Sequence, residues 1–193
     1  LYTDSVVISG TNEIETDILE STNISCNGDN SGSINIIINN ANAFPYNYSI
    51  NDLNFDEDNF VFDPNFIISN LEAGSYTIYI QDSEECIDTI ETVILSEPEA
   101  LSLSSSVTDV ICFGESNGTI SFDINGGVGA YDIALDDVSN TIISNSNGLD
   151  TLSLSVGTYS LFVTDENDCI LSDGFTINQP CTLTFWWILD RAI

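Results

Sequence analysis

Cys112-Phe113-Gly114-Glu115-Ser116-Asn117-Gly118-Thr119-Ile120 restates Cys26-Asn27-Gly28-Asp29-Asn30-Ser31-Gly32-Ser33-Ile34 at an offset of 86 residues. The shared pattern is Cys-x-Gly-x-x-x-Gly-Ser/Thr-Ile. Two glycines around polar residues predict a tight loop, because glycine reaches positive φ without steric cost. The isoleucine opens an alternating run, so the loop delivers the chain into a β-strand. A tandem repeat therefore organises this chain.

Further matches extend the repeat outward. Leu71-Glu72-Ala73-Gly74-Ser75-Tyr76 returns as Leu154-Ser155-Val156-Gly157-Thr158-Tyr159. A Leu, a Gly and then a Tyr at the start of a strand predict a tyrosine corner, whose hydroxyl bonds back to nearby backbone. The plainer alternative is a pair of half-buried aromatics. Asp82 to Cys86 returns as Asp165 to Cys169, and Glu97-Pro98 as Gln179-Pro180.

Alternating segments predict strands near residues 15–19, 32–38, 46–50, 66–71, 75–81 and 87–95 of the first unit. The acidic stretch 51–63 reads as a loop with a short strand. Corresponding strands of the second unit fall near residues 101–107, 118–125, 131–135, 141–144, 151–154, 157–164 and 170–177. Turn signals every 8–12 residues and no period of 3.6 predict an all-β fold of two tandem Ig-like antiparallel β-sandwich repeats. Residues 1–13 read as the end of a preceding repeat, since Val7-Ile8 aligns with Val93-Ile94. The repeats span 14–98 and 99–180. Residues 181–193 are a tail or the start of a next unit, with an apolar Phe185-Trp186-Trp187-Ile188-Leu189 patch. The chain begins mid-pattern, as a mature product or a fragment would.

Composition excludes much chemistry. Of 193 residues, 31 are Asp or Glu, one is a cation (Arg191) and none is His, for a net charge of −30. Such a surface repels nucleic acid and anionic membranes. The apolar stretch 183–193 is too short to span a bilayer. Without His or Lys there is no Ser-His-Asp triad, no imidazole metal ligand and no Schiff base. A carboxylate-pair glycosidase needs two carboxyls at a set separation with one buried. The acidic runs here sit in expected loops, so the chain reads as no enzyme.

The order of these motifs resembles the SprB repeat of Bacteroidetes cell-surface adhesins, over roughly residues 14–180. Glu85 and Asp168 stand where that family usually has Gly before the cysteine. Asn40-Ala41 stands where the second unit has the family's Gly126-Gly127. The resemblance implies an extracellular β-sandwich repeat of very long cell-surface proteins. Those are exported by the type IX system and serve adhesion and gliding motility. The expected function is a structural or adhesive repeat module of a long surface filament, with neighbouring repeats and possible surface polysaccharide as partners. The alternative is a calcium-dependent glycan- or surface-binding module.

Five cysteines without zinc-type spacing predict disulfides in an oxidising location. One pairing joins Cys26 to Cys86 and Cys112 to Cys169 within each unit. In a seven-strand sandwich, however, these loops fall at opposite ends of the unit. That predicts Cys26 with Cys169, Cys112 with Cys181, and Cys86 facing a preceding unit. The acidic clusters Asp52, Asp56, Glu57, Asp58 and Asp63, and Asp132, Asp136 and Asp137, read as solvated faces or as calcium loops. No cofactor is required. If calcium binds, the expected ligands are Asp165, Glu166 and Asp168 with Asp29 and Glu97, and Glu99 nearby. Asp-Ser/Thr-apolar triplets mark Ser5, Thr89 and Thr151 as O-glycosylation candidates of the kind found in Bacteroidetes.

Overall fold

A computed structural model describes residues 14–40, 43–136 and 141–180. Expectations for residues 1–13, Ser5, Asp137, Cys181 and the Trp186-Trp187 tail lie outside these. The chain divides into two compact units after Pro98.

Unit one has seven strands: β1 (Thr16–Thr22), β2 (Gly32–Ile38), β3 (Tyr46–Ile50), β4 (Phe60–Val61), β5 (Asn65–Leu71), β6 (Gly74–Gln81) and β7 (Ile87–Leu95). They form a three-stranded sheet, β1-β2-β5, and a four-stranded sheet, β4-β3-β6-β7. All pairings are antiparallel. Unit two repeats this with β8 (Ser102–Thr108), β9 (Gly118–Asn125), β10 (Tyr131–Leu135), β11 (Thr141–Ser146), β12 (Leu149–Leu154), β13 (Gly157–Thr164) and β14 (Ile170–Ile177). Its sheets run β12-β9-β8 and β11-β10-β13-β14. In each unit the fourth strand pairs with the third rather than with the fifth. The result is an Ig-like sandwich divided three plus four.

The cores follow from the period of two. In β2 the positions alternate between buried and half-buried, which puts Ile34, Ile36 and Ile38 inside. They pack with Ile68 of β5 and, from the other sheet, Tyr46, Ile78, Ile80 and Leu95. Unit two packs Ile120, Phe122 and Ile124 of β9 against Tyr131, Ile133, Leu161 and Val163. Each such side chain contributes roughly 1.5–3 kcal/mol by leaving water. The acidic stretch before β4 holds one 3-10 turn, Glu57–Asn59, capped by Asp56, whose carboxylate accepts from the Asp58 N–H at 3.2 Å.

The tyrosine corner is present twice. Tyr76 donates to the Glu72 carbonyl at 2.7 Å, and Tyr159 to the Ser155 carbonyl at 3.1 Å. Each bond ties the start of the sixth strand to the turn before it, for about 1 kcal/mol.

The two motif glycines have different reasons. Gly28 and Gly114 lie at φ +80° and +82°, as turn glycines should. Gly32 and Gly118 do not. A Cβ on Gly32 would stand 2.7 Å from the Leu71 carbonyl oxygen, and one on Gly118 would stand 2.5 Å from the Ile177 side chain. The second glycine is therefore required by close packing at the strand's first residue, not by a turn.

Candidate functional site

The cysteine loops sit at the two ends of each sandwich. In unit one, Gly74 of β6 pairs with Leu95 and Gln81 pairs with Ile87. Cys86 therefore lies at the Gln81 end, where the chain enters the unit. Cys26 lies at the Gly74 end, where the chain leaves, because the Ile24 N–H donates to the Ser96 carbonyl at 3.0 Å. Eight residues of strand separate these ends by about 25 Å. Bridged Cα atoms lie within about 7 Å. A Cys26–Cys86 bond is excluded by this span, and Cys112–Cys169 by the same geometry in unit two.

At the trailing end, one turn is built twice. The Asp29 N–H donates to the Cys26 carbonyl at 3.1 Å, and the Glu115 N–H to the Cys112 carbonyl at 3.2 Å. The Glu97 carboxylate accepts from the Gly28 N–H at 2.6 Å, and the Gln179 side-chain oxygen from the Gly114 N–H at 3.4 Å. The recurring Glu/Gln-Pro pair thus supplies an oxygen that anchors the cysteine turn. Nothing in the spacing of Glu97 and Gly28, 69 residues apart, makes this visible from the sequence.

At the leading end, Asp82 and Asp165 each organise the loop that carries the cysteine. Both are buried, at 8% and 5% exposure. Asp82 Oδ1 accepts from the N–H groups of Glu84 and Cys86, each at 2.9 Å. Asp165 Oδ1 accepts from those of Asn167 and Cys169, each at 2.9 Å, and its Oδ2 from the Val128 N–H at 2.9 Å. Glu85 and Asp168 lie at φ +66° and +62°. This left-handed conformation is the physical reason for glycine at that position in the resembled family.

The cysteines differ in state. Cys26 and Cys169 are disulfide-bonded. Cys86 is a half-buried thiol and Cys112 an exposed thiol. The expected partner of Cys112, Cys181, lies outside the described residues. Partial burial first, then the carboxylates of Asp82 and Glu84, raise the Cys86 thiol above its ordinary value.

Among the described residues, no group of three or more acidic or cysteine side chains could hold a metal ion. The carboxylates of Asp165, Glu97 and Glu166 each accept from backbone, the last from the Ala130 N–H at 3.3 Å. Asp168 and Asp29 are exposed turn residues. The acidic 51–63 stretch does the same work, with Asp52 Oδ1 accepting from the Asn54 N–H and Asp63 Oδ1 from the Asn65 N–H, both at 2.9 Å. Short acidic side chains here close Asx turns, which spacing alone cannot distinguish from cation loops.

Of the glycosylation candidates, Thr89 and Thr151 are exposed strand residues. The Thr151 hydroxyl lies 3.0 Å from that of Ser121 across the sheet. Each preceding Asp is already engaged: Asp88 accepts from the Thr16 N–H at 2.8 Å, and Asp150 from the Ser146 hydroxyl at 2.8 Å.

Residues 18–55 and 104–140 match the SprB repeat family model. Each unit carries one of the two matched segments. The matched segments run from the first strand of each unit to the third strand or just beyond it, and enclose the Cys26 and Cys112 loops. Among solved structures, the chain is similar to the fibronectin(III)-like modules of Clostridium thermocellum CbhA, with 12% identity, a TM-score of 0.35 and coverage of 86% of this chain and 95% of that one. It is also similar to a beta-glucuronidase from glycoside hydrolase family 2, with 13% identity, a TM-score of 0.33 and coverage of 89% of this chain and 21% of that one. No curated protein matches the chain. No helix among the described residues is long and apolar enough to cross a membrane.

Proposed function

We propose that this pair of SprB repeats is a segment of an extracellular surface adhesin, a structural and non-enzymatic module whose cysteines join successive repeats. Cys26 bonds Cys169 in this reading. The observation that carries it is the chemical state of the cysteines: both are in disulfide form while their within-unit alternatives, Cys86 and Cys112, are thiols. A bond between residues 26 and 169 would close a loop of over 100 residues and restrict the unfolded chain by about 5 kcal/mol. It would also resist separation of the repeats under load, which suits a stalk. The net charge of −30 favours a solvated filament over one that aggregates. In the Bacteroidetes setting that the resemblance implies, such an adhesin would pass through type IX secretion and serve gliding.

A non-reducing protease digest read by mass spectrometry tests the proposal. A Cys26–Cys169 peptide is expected, and a Cys26–Cys86 peptide would sink it.

Surface polysaccharide is a second reading, supported by the outer face of the β12-β9-β8 sheet. There Ser106, Ser121 and Thr151 lie side by side, and Ser104, Asp123 and Leu149 form the next row. Ser104, Ser106, Ser121, Asp123 and Leu149 of these rows line a shallow open groove. Binding on a glycan array that survives chelation of divalent cations would support it; an empty array would remove it.

A further inference from the structure

We propose that Asn27 is a self-modification site. The backbone nitrogen of Gly28 closes on the Asn27 side chain, the Glu97 carboxylate acts as the base, and the amide becomes an acid.

The sequence holds four Asn-Gly pairs: Asn27-Gly28, Asn117-Gly118, Asn125-Gly126 and Asn147-Gly148. A glycine nitrogen approaches the preceding side-chain amide more freely than any other, because no Cβ stands in the way. What such a nitrogen lacks is a group to take its proton. Folding supplies one at Gly28. Its N–H donates to Glu97 Oε2 at 2.6 Å, and Asn27 Nδ2 donates to the Pro98 carbonyl at 3.0 Å. The attacking nitrogen and the leaving nitrogen are thus held by two adjacent residues, 69 and 71 positions away in the chain. Asn27 and Gly28 are exposed. A small open cleft lined by Gly28, Asp29, Glu72, Ala73 and Glu97 admits water to the same atoms.

The other pairs are built differently. The Gly148 N–H donates to the Ser146 hydroxyl at 3.1 Å, a neutral acceptor. The Asn117 side chain is tied at both ends, by the Ile111 N–H at 3.1 Å and by Glu115 Oε2 at 2.6 Å, and Gly118 is packed against Ile177. Gly126 is wedged against the Ala100 carbonyl. The equivalent turn of unit two has Phe113 and Gln179 where unit one has Asn27 and Glu97, so it keeps the anchored glycine without either reactant.

The reaction balances with water as the co-reactant. The Gly28 nitrogen bonds Asn27 Cγ while its proton passes to Glu97. The Cγ–Nδ2 bond breaks, and the nitrogen leaves as ammonia with the proton that Glu97 returns. A five-membered succinimide remains, and water opens it at either carbonyl to aspartate or isoaspartate. One water is consumed, one ammonia is released, nothing is oxidised or reduced, and Glu97 is regenerated. The product carries one more negative charge and has no N–H for the Pro98 carbonyl, so the Cys26 turn loses that tie. A positioned base contributes about 10²–10⁴-fold. A carboxylate, being a weak base, belongs at the lower end.

The test keeps the freshly purified full chain in heavy-oxygen water at neutral pH and follows label uptake by peptide mapping with mass spectrometry. Asn27 is expected to gain label about 100-fold faster than Asn147. In Glu97→Gln the side-chain oxygen can still accept from Gly28, as that of Gln179 does from Gly114. There Asn27 should slow by a similar factor, with Asn147 unchanged. In urea the contacts to Glu97 and Pro98 are lost, so Asn27 should slow and Asn147 should not. A turn that merely anchors Cys26 would do the reverse, shielding Asn27 while folded. Uptake at Asn27 that is no faster than at Asn147, that rises in urea, or that is unchanged by Glu97→Gln would overturn the proposal.

Discussion

Replacing Asp165 tests whether one buried carboxylate holds the Cys169 loop. In Asp165→Ala, three backbone N–H groups lose their acceptor: Val128, Asn167 and Cys169. Hydrogen bonds to a charged group contribute about 1.5–3 kcal/mol each. Three would sum to about 6 kcal/mol, but the loop amides can turn to water once the side chain is gone. Halving for that leaves about 3 kcal/mol. For a unit of this size the melting midpoint then falls by ~15 °C. Asp165→Asn separates the contributions. Its amide oxygen still serves Asn167 and Cys169, while its NH2 faces the Val128 N–H, so about 1.5 kcal/mol is lost. Calorimetry on the full chain gives the midpoints. Hydrogen-exchange mass spectrometry assigns the change to residues 126–130 and 165–169. Faster exchange there, with unit one unaffected, is expected. If Asp165→Ala melts within about 1 kcal/mol of the parent, or Asp165→Asn is as damaging as the alanine variant, Asp165 does not organise this loop.

The paired glycines should respond differently to substitution. Gly28→Ala strains only its positive φ, for about 1–2 kcal/mol, and Gly28→Asn should recover part of that. Gly118→Ala meets Ile177 and the Leu154 carbonyl, costing about 1–3 kcal/mol by overpacking, and Gly118→Asn should be worse; equal responses to Asn at both sites in urea denaturation would contradict the assignment. Cys86 should react slowly with iodoacetamide at pH 8, because partial burial first, and then the neighbouring carboxylates, hold its thiol protonated. Asp82→Asn with Glu84→Gln lowers that thiol's pKa and should accelerate alkylation, and a rate unchanged across the pair would remove those carboxylates as the cause.

Strands and repeat were legible in the sequence because side-chain alternation is a local consequence of the pleat. Gly32–Ile38 buries every second residue, and Gly74–Gln81 does so at Ile78 and Ile80, so their faces could be read off letter by letter. The tyrosine corners were legible for the same reason, since Tyr76 and Glu72 are four residues apart. Even the placement of the cysteines at opposite ends followed from strand direction alone. What only the tertiary structure decided is where oxygens and thiols find partners. Glu97 meets the Gly28 N–H, 69 residues away in the chain, only through folding. Burial likewise sets the Asp165 carboxylate against the N–H groups of Val128, Asn167 and Cys169. Gly118 looked like a turn residue until Ile177 closed over it. Cys86 and Cys112 carry the same letters as Cys169 and Cys26, yet two are thiols and two are disulfides. A residue's period is written in its neighbours along the chain, whereas its bond depends on which distant atom folding places within reach.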